Sequence, residues 1–163
     1  MPGLRSSYSR VPHPGGFTLV ELMVAVALIG ILAGIAVPNI LAGLPVFRLH
    51  SAARQVMTDI NYARGRAAAL NREYRIRFDV NTDTYDVEKG DKSTGSSAWA
   101  LEKTVTRLAE DTIDVTSLTR NPVYSKPTGT MTNTTITLQN SKGQSLEITT
   151  SIVGRLKKGP ITH

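Results

Sequence analysis

The sequence predicts an α+β fold in which a long N-terminal helix packs against an antiparallel β-sheet head. Residues 22–47 form a run of 26 residues without a charge, and an apolar stripe at helical spacing continues beyond it to about residue 70. From residue 73 onwards the apolar residues instead recur at every second position, which is typical of half-buried strands. This change of period divides the 163-residue chain into a helical part and a β-rich part.

Composition excludes several classes of function. The chain has no cysteine, so a disulfide framework, a cysteine-ligated zinc site, a thiol nucleophile and cysteine lipidation are all excluded. Lys and Arg number 19 against 13 Asp and Glu, which gives a net charge of +6 at pH 7. The spacing of His13, His50 and His163 matches no metal-ligand or catalytic-triad pattern, and the sequence has no glycine-rich phosphate loop. We therefore expect no enzymatic activity, no metal and no cofactor.

The uncharged run is long enough to cross a bilayer, because a helix needs about 20 apolar residues to span about 30 Å of hydrocarbon. A cleaved secretory signal has a shorter apolar core, of about 7–15 residues. A buried core helix that is apolar all round is uncommon in so small a chain. A plain signal anchor, with Arg5 and Arg10 on the cytoplasmic side, agrees with the positive-inside tendency. A fourth interpretation depends on the residues that precede the run.

A polar leader precedes the run and ends in Gly15-Gly16, and the next residues are FTLVELMVAVALIGILAGIAVP. This junction resembles the processing motif of type IV prepilins and of the pseudopilins of type II secretion. The resemblance implies that a prepilin peptidase cleaves after Gly16 and methylates the new N-terminus at Phe17. Residues 1–16 would then be a leader peptide, and residues 17–44 a transmembrane and filament-core helix.

Glu21 is the one acid of the apolar helix, and an ionisable group in a membrane segment usually marks a function. The resemblance implies that Glu21 pairs with the α-amino group of Phe17 on a neighbouring subunit of a filament. The simpler interpretation is that Glu21 lies at the water interface and complements the positive end of the helix dipole. Pro38 removes a backbone donor, so it is a candidate position for a kink. The resemblance implies in addition that the helix melts near Pro38 on assembly.

The helix is predicted to continue through residues 45–72 as an amphipathic segment. Its apolar residues form one stripe, which consists of Leu49, Ala53, Val56, Ile60, Ala63, Ala67 and Leu70. The opposite face is basic, with five arginines between residues 48 and 72 and Asp59 as the one acid. A helix from about residue 17 to residue 71 would be on the order of 80 Å long.

The β-rich head is predicted to occupy residues 73–163. Residues 73–80 alternate between polar and apolar, which predicts a strand with one face formed by Tyr74, Ile76, Phe78 and Val80. Residues 84–88 complete a hairpin with this strand, and residues 89–97 are predicted to be an exposed loop. Further strands are predicted at residues 99–108, 112–118, 123–125, 134–138 and 146–150, with a last short one at Ile152-Val153.

The second half of the chain resembles a narrower group. The segments SAARQVMTDINYARGRAAALN, VYSKPTGTMTNTTITLQNSKG and LEITTSIVGRLKKG are similar to segments of the GspH/FimT minor pseudopilins and minor pilins. The resemblance implies a structural subunit of a type II secretion pseudopilus or a type IV pilus. It implies a single pass through the inner membrane, with a cytoplasmic N-terminus and a periplasmic head, before assembly into the filament. The implied partners are the prepilin peptidase, other pilins or pseudopilins, and the inner-membrane assembly platform with its ATPase.

The charge distribution supports an alternative function. Residues 115–163 contain six bases and one acid, and Arg155, Lys157 and Lys158 form a basic cluster that could bind nucleic acid phosphates. FimT-like minor pilins have a GRxR element that is associated with DNA capture, and residues 154–157 resemble it with lysine in place of the second arginine. The simpler interpretation is a solvated basic terminus or a subunit interface.

One segment begins like a calcium loop. Asp79, Asn81 and Asp83 have the required spacing, but Thr84 replaces the turn glycine and Gly90 stands in the place of the bidentate glutamate. We therefore expect a hairpin with solvated acids instead of a metal site.

Overall fold

The computed structural model describes residues 16–106, 108 and 112–162. The chain divides into two compact units, residues 1–41 and residues 42–163. Helix α1 (Leu19–Leu70) contributes residues to both units. Residues 1–15 of the predicted leader lie outside the described part of the chain. The predicted α+β class, a long N-terminal helix with antiparallel sheets, is confirmed.

The described part of the first unit is the helix up to Leu41 and the three residues before it, and all of these residues are exposed. Large apolar side chains such as Leu22, Ile31 and Ile35 are 63–67% exposed. By length and composition, α1 is able to cross a membrane. Pro38 lies inside α1, which continues on both sides of it, and a kink or melting at that position stays a prediction.

The second unit contains the rest of α1 and two four-stranded antiparallel sheets. The first sheet has the order β3-β2-β1-β5 and consists of β1 (Tyr74–Asp79), β2 (Thr84–Gly90), β3 (Trp99–Val105) and β5 (Val123–Ser125). The second sheet has the order β4-β6-β7-β8 and consists of β4 (Ile113–Leu118), β6 (Thr134–Asn140), β7 (Ser145–Thr150) and β8 (Leu156–Thr162). Hairpins join β1 to β2 and β6 to β7, as the alternating patterns predict.

One hydrophobic core joins α1 to both sheets. The predicted helical stripe is buried from Leu49 to Ala67, whereas Leu70, in the last turn, is 40% exposed. Each sheet contributes alternate side chains to this core, including Tyr74, Ile76, Phe78, Val87, Ile136, Leu138, Leu146 and Ile148. The period-two pattern of the sequence therefore corresponds to one buried face on each sheet.

Several details of the strands differ from the prediction. Lys89 and Gly90 are predicted to belong to the exposed loop of residues 89–97. They instead end β2, where Gly90 is buried and pairs with Trp99 of β3.

The strand predicted at residues 99–108 ends at Val105, and β8 lies where no strand is predicted. Val80 does not share the buried face of β1, because β1 ends at Asp79 and Val80 lies in the following turn, 42% exposed. The strand predicted at Ile152-Val153 is wrong, since these residues form a turn and are 61% and 75% exposed.

The turn at residues 151–155 reverses the chain between β7 and β8. Gly154 has a φ of +79° and its N–H donates to the carbonyl of Ser151, while the Ser151 N–H donates to the carbonyl of Arg155. The positive φ of Gly154 allows the tight reversal. The last strand therefore starts at Leu156, after the apolar pair.

Candidate functional site

The start of α1 is a capping box. The backbone N–H and the hydroxyl of Thr18 both donate to Oε2 of Glu21, at 2.9 and 3.0 Å, and the Glu21 N–H donates to Thr18 Oγ1 at 3.2 Å. A threonine before the helix and a glutamate three residues later satisfy free N–H groups of the first turn in this way. In a single chain Glu21 therefore has the simpler role, as a partner of the helix N-terminus. Its pairing with a neighbouring subunit stays a prediction.

The predicted cleavage point is open to solvent. Phe17 is 92% exposed, and a Cβ placed on Gly16 would meet no other atom within 4 Å. Among residues 16–47, Glu21 is the one charged residue. Cleavage between Gly16 and Phe17 would create an α-amino group four residues before the Glu21 carboxylate. Both residues of this bond are exposed.

The structure places two of the three basic residues, Lys157 and Lys158, on opposite faces of the second sheet. Arg155, Lys157 and Lys158 are all exposed. Lys157 pairs with exposed Thr149 on the outer face of the second sheet. Lys158 pairs with buried Ile148, on the face towards α1. Because successive strand residues point to opposite faces, Lys157 and Lys158 do not share one patch. Their binding of DNA stays a prediction.

The glycine next to Arg155 holds an arginine of the helix. Arg64 Nη1 donates to the carbonyl of buried Gly154 at 2.9 Å. A Cβ on Gly154 would lie 2.7 Å from Arg64 Cζ and 2.8 Å from the carbonyl oxygen of Gly129. We call this arrangement the Arg64 slot; it joins the turns at residues 126–130 and 151–155 to α1. Sequence reasoning missed the slot, since isolated glycines indicate only turns.

A β-bulge directs two adjacent charged residues of β3 towards polar groups of α1. The pairing of β2 with β3 shifts at this point and leaves Glu102 as an extra residue, next to Lys103. Lys103 Nζ lies 2.6 Å from Oδ1 of Asp59, which is only 5% exposed, and the Tyr85 hydroxyl donates to Asp59 Oδ2 at 2.6 Å. Burial and the neighbouring Asp59 raise the pKa of Tyr85. The one acid of the amphipathic helix is therefore a buried structural group.

Glu102 connects α1 to the start of β1. The hydroxyls of Tyr62 and Tyr74 donate to its two oxygens at 2.5 Å, and Arg66 Nε lies 3.2 Å from Oε1. Burial acts to raise the pKa of Glu102, but the two tyrosine hydrogen bonds and the charge of Arg66 outweigh it and hold the pKa below 4.5. Burial and the hydrogen bond to Glu102 raise the pKa of Tyr74 to about 12. At neutral pH Glu102 is charged and Tyr74 protonated.

The acids that begin like a calcium loop have backbone partners. Asp79 Oδ1 accepts a hydrogen bond from the Asn81 N–H at 2.9 Å, within the turn. Asp83 Oδ1 accepts one from the Val115 N–H at 2.8 Å and so joins the turn to β4. In the described part of the chain, no three His, Asp or Glu residues are grouped so that they could hold a metal ion. Asp79 and Asp83 therefore accept hydrogen bonds at the turn of the predicted β1–β2 hairpin.

Comparisons with known proteins agree with this geometry. The sequence profile of the prokaryotic N-terminal methylation motif matches residues 13–37, and that of type II transport protein GspH matches residues 52–154. The minor pseudopilin EpsH of the Vibrio cholerae type II secretion system is similar over 69% of this chain and 96% of its own, with a TM-score of 0.55 and 12% identity. The type IV minor pilin FimU of Pseudomonas aeruginosa is similar over 69% and 88%, with a TM-score of 0.54 and 18% identity. No curated protein sequence matches the chain.

A methylation motif on a long apolar helix, followed by antiparallel sheets packed on the same helix, defines the class of pilin-like filament subunits. Within that class, the chain belongs to the family of type II transport protein GspH, whose profile covers more than half of its residues. It shares the fold of the minor pseudopilin EpsH and of the minor pilin FimU, and its N-terminal helix is long and apolar enough to cross a membrane. The resemblance to pilin-like proteins that the sequence predicts is confirmed.

Proposed function

We propose that the protein is a prepilin-processed minor subunit of a short periplasmic or surface filament that supports protein secretion or pilus function. The first unit carries this proposal, because its described helix is apolar and exposed along its whole length. Such a surface is stable in lipid or among other apolar helices. A subunit that is first inserted in a membrane and then assembled through its helix needs both environments in turn.

Maturation follows from the residues at the start of the helix. A prepilin peptidase removes residues 1–16 and methylates Phe17, and residues 17–44 then form the membrane and filament-core helix. Residues 45–72 are the amphipathic half, on which the head of residues 73–163 is built. Arg5 and Arg10 keep the N-terminus in the cytoplasm, so the head is periplasmic. Other pilins or pseudopilins and the assembly platform with its ATPase complete the set of partners.

Glu21 supplies the contact between subunits in this proposal. Placing a charged carboxylate in a membrane or a helix bundle costs free energy unless it has a partner. The methylated amino group of Phe17 on the next subunit is a cation that can pair with Glu21. The backbone N–H and the hydroxyl of Thr18 both donate to Oε2 of Glu21. The other oxygen, Oε1, is then the acceptor for the neighbouring amine.

Mass spectrometry of protein purified from membranes tests the maturation. We expect an N-terminus at Phe17 with one added methyl group. The variant Gly16→Val places a β-branched side chain beside the scissile bond and is expected to keep the leader. The matched variant Gly15→Ala is expected to be processed like the wild type. Wild-type protein that retains Met1 would contradict the proposal.

A further inference from the structure

The length of the apolar helix locates the far boundary of the membrane on the chain. The 20 residues from Leu22 to Leu41 measure about 30 Å in a helix, which is the thickness of the hydrocarbon core. Glu21 stands at the first boundary. The second boundary therefore falls at Ala42, which is also the first residue of the second compact unit.

A lysine from the second sheet lies at that boundary. Nζ of Lys142, in the turn between β6 and β7, donates to the carbonyl of Ala42 at 3.2 Å. The turn has a defined shape, since Asn140 Oδ1 accepts hydrogen bonds from the N–H groups of Lys142 and Gln144, both at 3.0 Å. Lys142 is exposed. An ammonium has three donors, so one carbonyl leaves two for another ligand.

Further positive charge follows along α1. Arg48, the first charged residue after the apolar run, lies six residues beyond Ala42, which is about 9 Å along the helix. Lys158 Nζ lies 3.4 Å from Nδ1 of His50, about 12 Å beyond Ala42. Residues 42–58 and the turn 140–144 contain no acid. Burial, helped by Lys158 and Arg54, lowers the pKa of His50, so lysine and arginine provide the charge at pH 7.

We propose that Lys142 and Lys158, which we call the juxtamembrane cluster, bind the phosphates of anionic phospholipids in the leaflet next to the head. The inference rests on the proposed function, because it needs the first unit to span the bilayer. The headgroup layer is about 5–8 Å thick on each side, and charges act over a further Debye length of about 8–10 Å. The cluster therefore lies within reach of lipid phosphates, which ammonium groups bind by charge-assisted hydrogen bonds.

Continuity of the chain with the membrane helix identifies the bilayer as the surface that the juxtamembrane cluster binds. Ala42 is continuous with the membrane helix, so the turn that contacts Ala42 remains beside the headgroups for as long as the subunit is in the membrane. Binding of the lipid phosphates by the juxtamembrane cluster holds the head against the lipid surface before assembly. This binding must break when the subunit is extracted into a filament.

Fluorescence quenching on the full chain in vesicles tests the cluster. The chain has no cysteine, so Ser141→Cys provides a unique site for a fluorophore in the β6–β7 turn, and Ser93→Cys in the β2–β3 loop serves as the control site. The vesicles contain phosphatidylcholine alone, or phosphatidylcholine and phosphatidylglycerol in equal parts, with a headgroup quencher in both. We expect stronger quenching at position 141 with phosphatidylglycerol, a loss of the difference at high salt, and no lipid dependence at position 93.

Substitutions identify the residues that bind. We expect Lys142→Gln plus Lys158→Gln to weaken the phosphatidylglycerol-dependent contact by about fivefold per lysine. Lys92→Gln plus Lys126→Gln removes two exposed lysines elsewhere on the head and is expected to leave the contact unchanged. Equal quenching in both lipid mixtures, or a double variant that behaves like the wild type, would overturn the proposal. Quenching that changes only when another filament subunit is added would assign the cluster to a protein partner and also overturn it.

Flotation of the same samples separates this inference from the proposed function. Wild-type protein that fails to float with vesicles or is released by alkali would count against the membrane-anchored subunit itself. Protein that stays anchored in both lipids, without a phosphatidylglycerol effect at position 141, would count against the juxtamembrane cluster alone.

Discussion

At Gly154 two independent constraints act on one residue. Its φ of +79° lies in the left-handed region, which residues with a Cβ adopt at a cost. The space that a Cβ would need is taken by the Arg64 guanidinium and the carbonyl of Gly129. Gly143 has nearly the same φ, +78°, but a Cβ there would meet no atom within 4 Å. A comparison of alanine substitutions at Gly154 and Gly143 therefore distinguishes the cost of backbone strain from the cost of crowding the Arg64 slot.

We expect Gly154→Ala to lower the free energy of unfolding by about 2–5 kcal/mol, from about 1–2 for the left-handed backbone and about 1–3 for overpacking. Gly143→Ala should lower the free energy of unfolding only by the contribution of the left-handed backbone, about 1–2 kcal/mol. Urea unfolding of the second unit, residues 42–163, measures both. Adding Arg64→Ala to each variant gives the coupling energy with the slot. Equal losses for the two glycine variants would show that crowding contributes nothing.

At the scale of elements, β3 is an edge strand that contacts α1 through charged groups. Inward-pointing charges and bulges protect an edge strand from pairing with another chain. Here the bulge at Glu102 brings both Glu102 and Lys103 to polar groups of the helix. At the edge of the second sheet, β8 contains Pro160 beside another bulge, where a missing backbone donor is tolerated.

The contact of β3 with α1 predicts a pH dependence of stability. The pKa of Glu102 is lower in the folded chain than its ordinary value of 4.5, so its stabilising contribution is complete above about pH 4.5 and is lost as the pH falls through the folded pKa. We expect Glu102→Gln to reduce the free energy of unfolding at pH 7 by about 1–2 kcal/mol, after allowance for solvent screening. The difference from wild type should shrink at lower pH.

Urea unfolding of the second unit between pH 7 and pH 3 measures this difference. Glu147→Gln, which removes an exposed carboxylate on the outer face of β7, is the matched control. It is expected to change the free energy of unfolding at pH 7 by less than about 0.5 kcal/mol. A gap between Glu102→Gln and wild type that stays constant down to pH 3 would exclude the charged role of Glu102.

For the whole molecule, the two units differ in what they need from their surroundings. None of the described residues before Leu49 is buried, so the second unit completes its core without residues of the first unit. The described helix of the first unit exposes its apolar side chains, which the proposed function places in lipid or against other subunits. Under the proposed function, assembly depends on the few polar groups at the start of that surface.

The variant Glu21→Gln tests the contact between subunits. Glutamine also closes a capping box, so the helix start is kept while the negative charge is lost. We expect normal leader processing, normal membrane insertion, and at least a tenfold loss of the variant from sheared filaments, measured by immunoblotting. Thr18→Ala weakens the cap and keeps the charge, and it should assemble like wild type. Wild-type levels of Glu21→Gln in filaments would refute the pairing with Phe17.

Much of the fold could be predicted from local patterns. The uncharged run, the helical stripe and the alternation in β1, β6 and β7 each report which face of an element avoids water, and that information is local. The error at Ile152-Val153 has the same origin, because an apolar pair indicates burial whether it lies in a strand or at an exposed turn. The conformation of Gly154, which decides between them, depends on the hydrogen bonds of the turn with Ser151 and Arg155.

The sequence by itself determined the class of the protein, the methylation motif, the long helix and the β-rich head, because these depend on composition, spacing and period along the chain. Only the tertiary structure decided which distant groups meet. Arg64 with Gly154, Glu102 with Tyr74, and Lys142 with Ala42 are each separated by 28–100 residues in sequence. The separation of Lys157 from Lys158 was also a tertiary result, since it depends on which face of β8 is turned towards α1. Such contacts depend on strand order and register, which local periodicity does not encode.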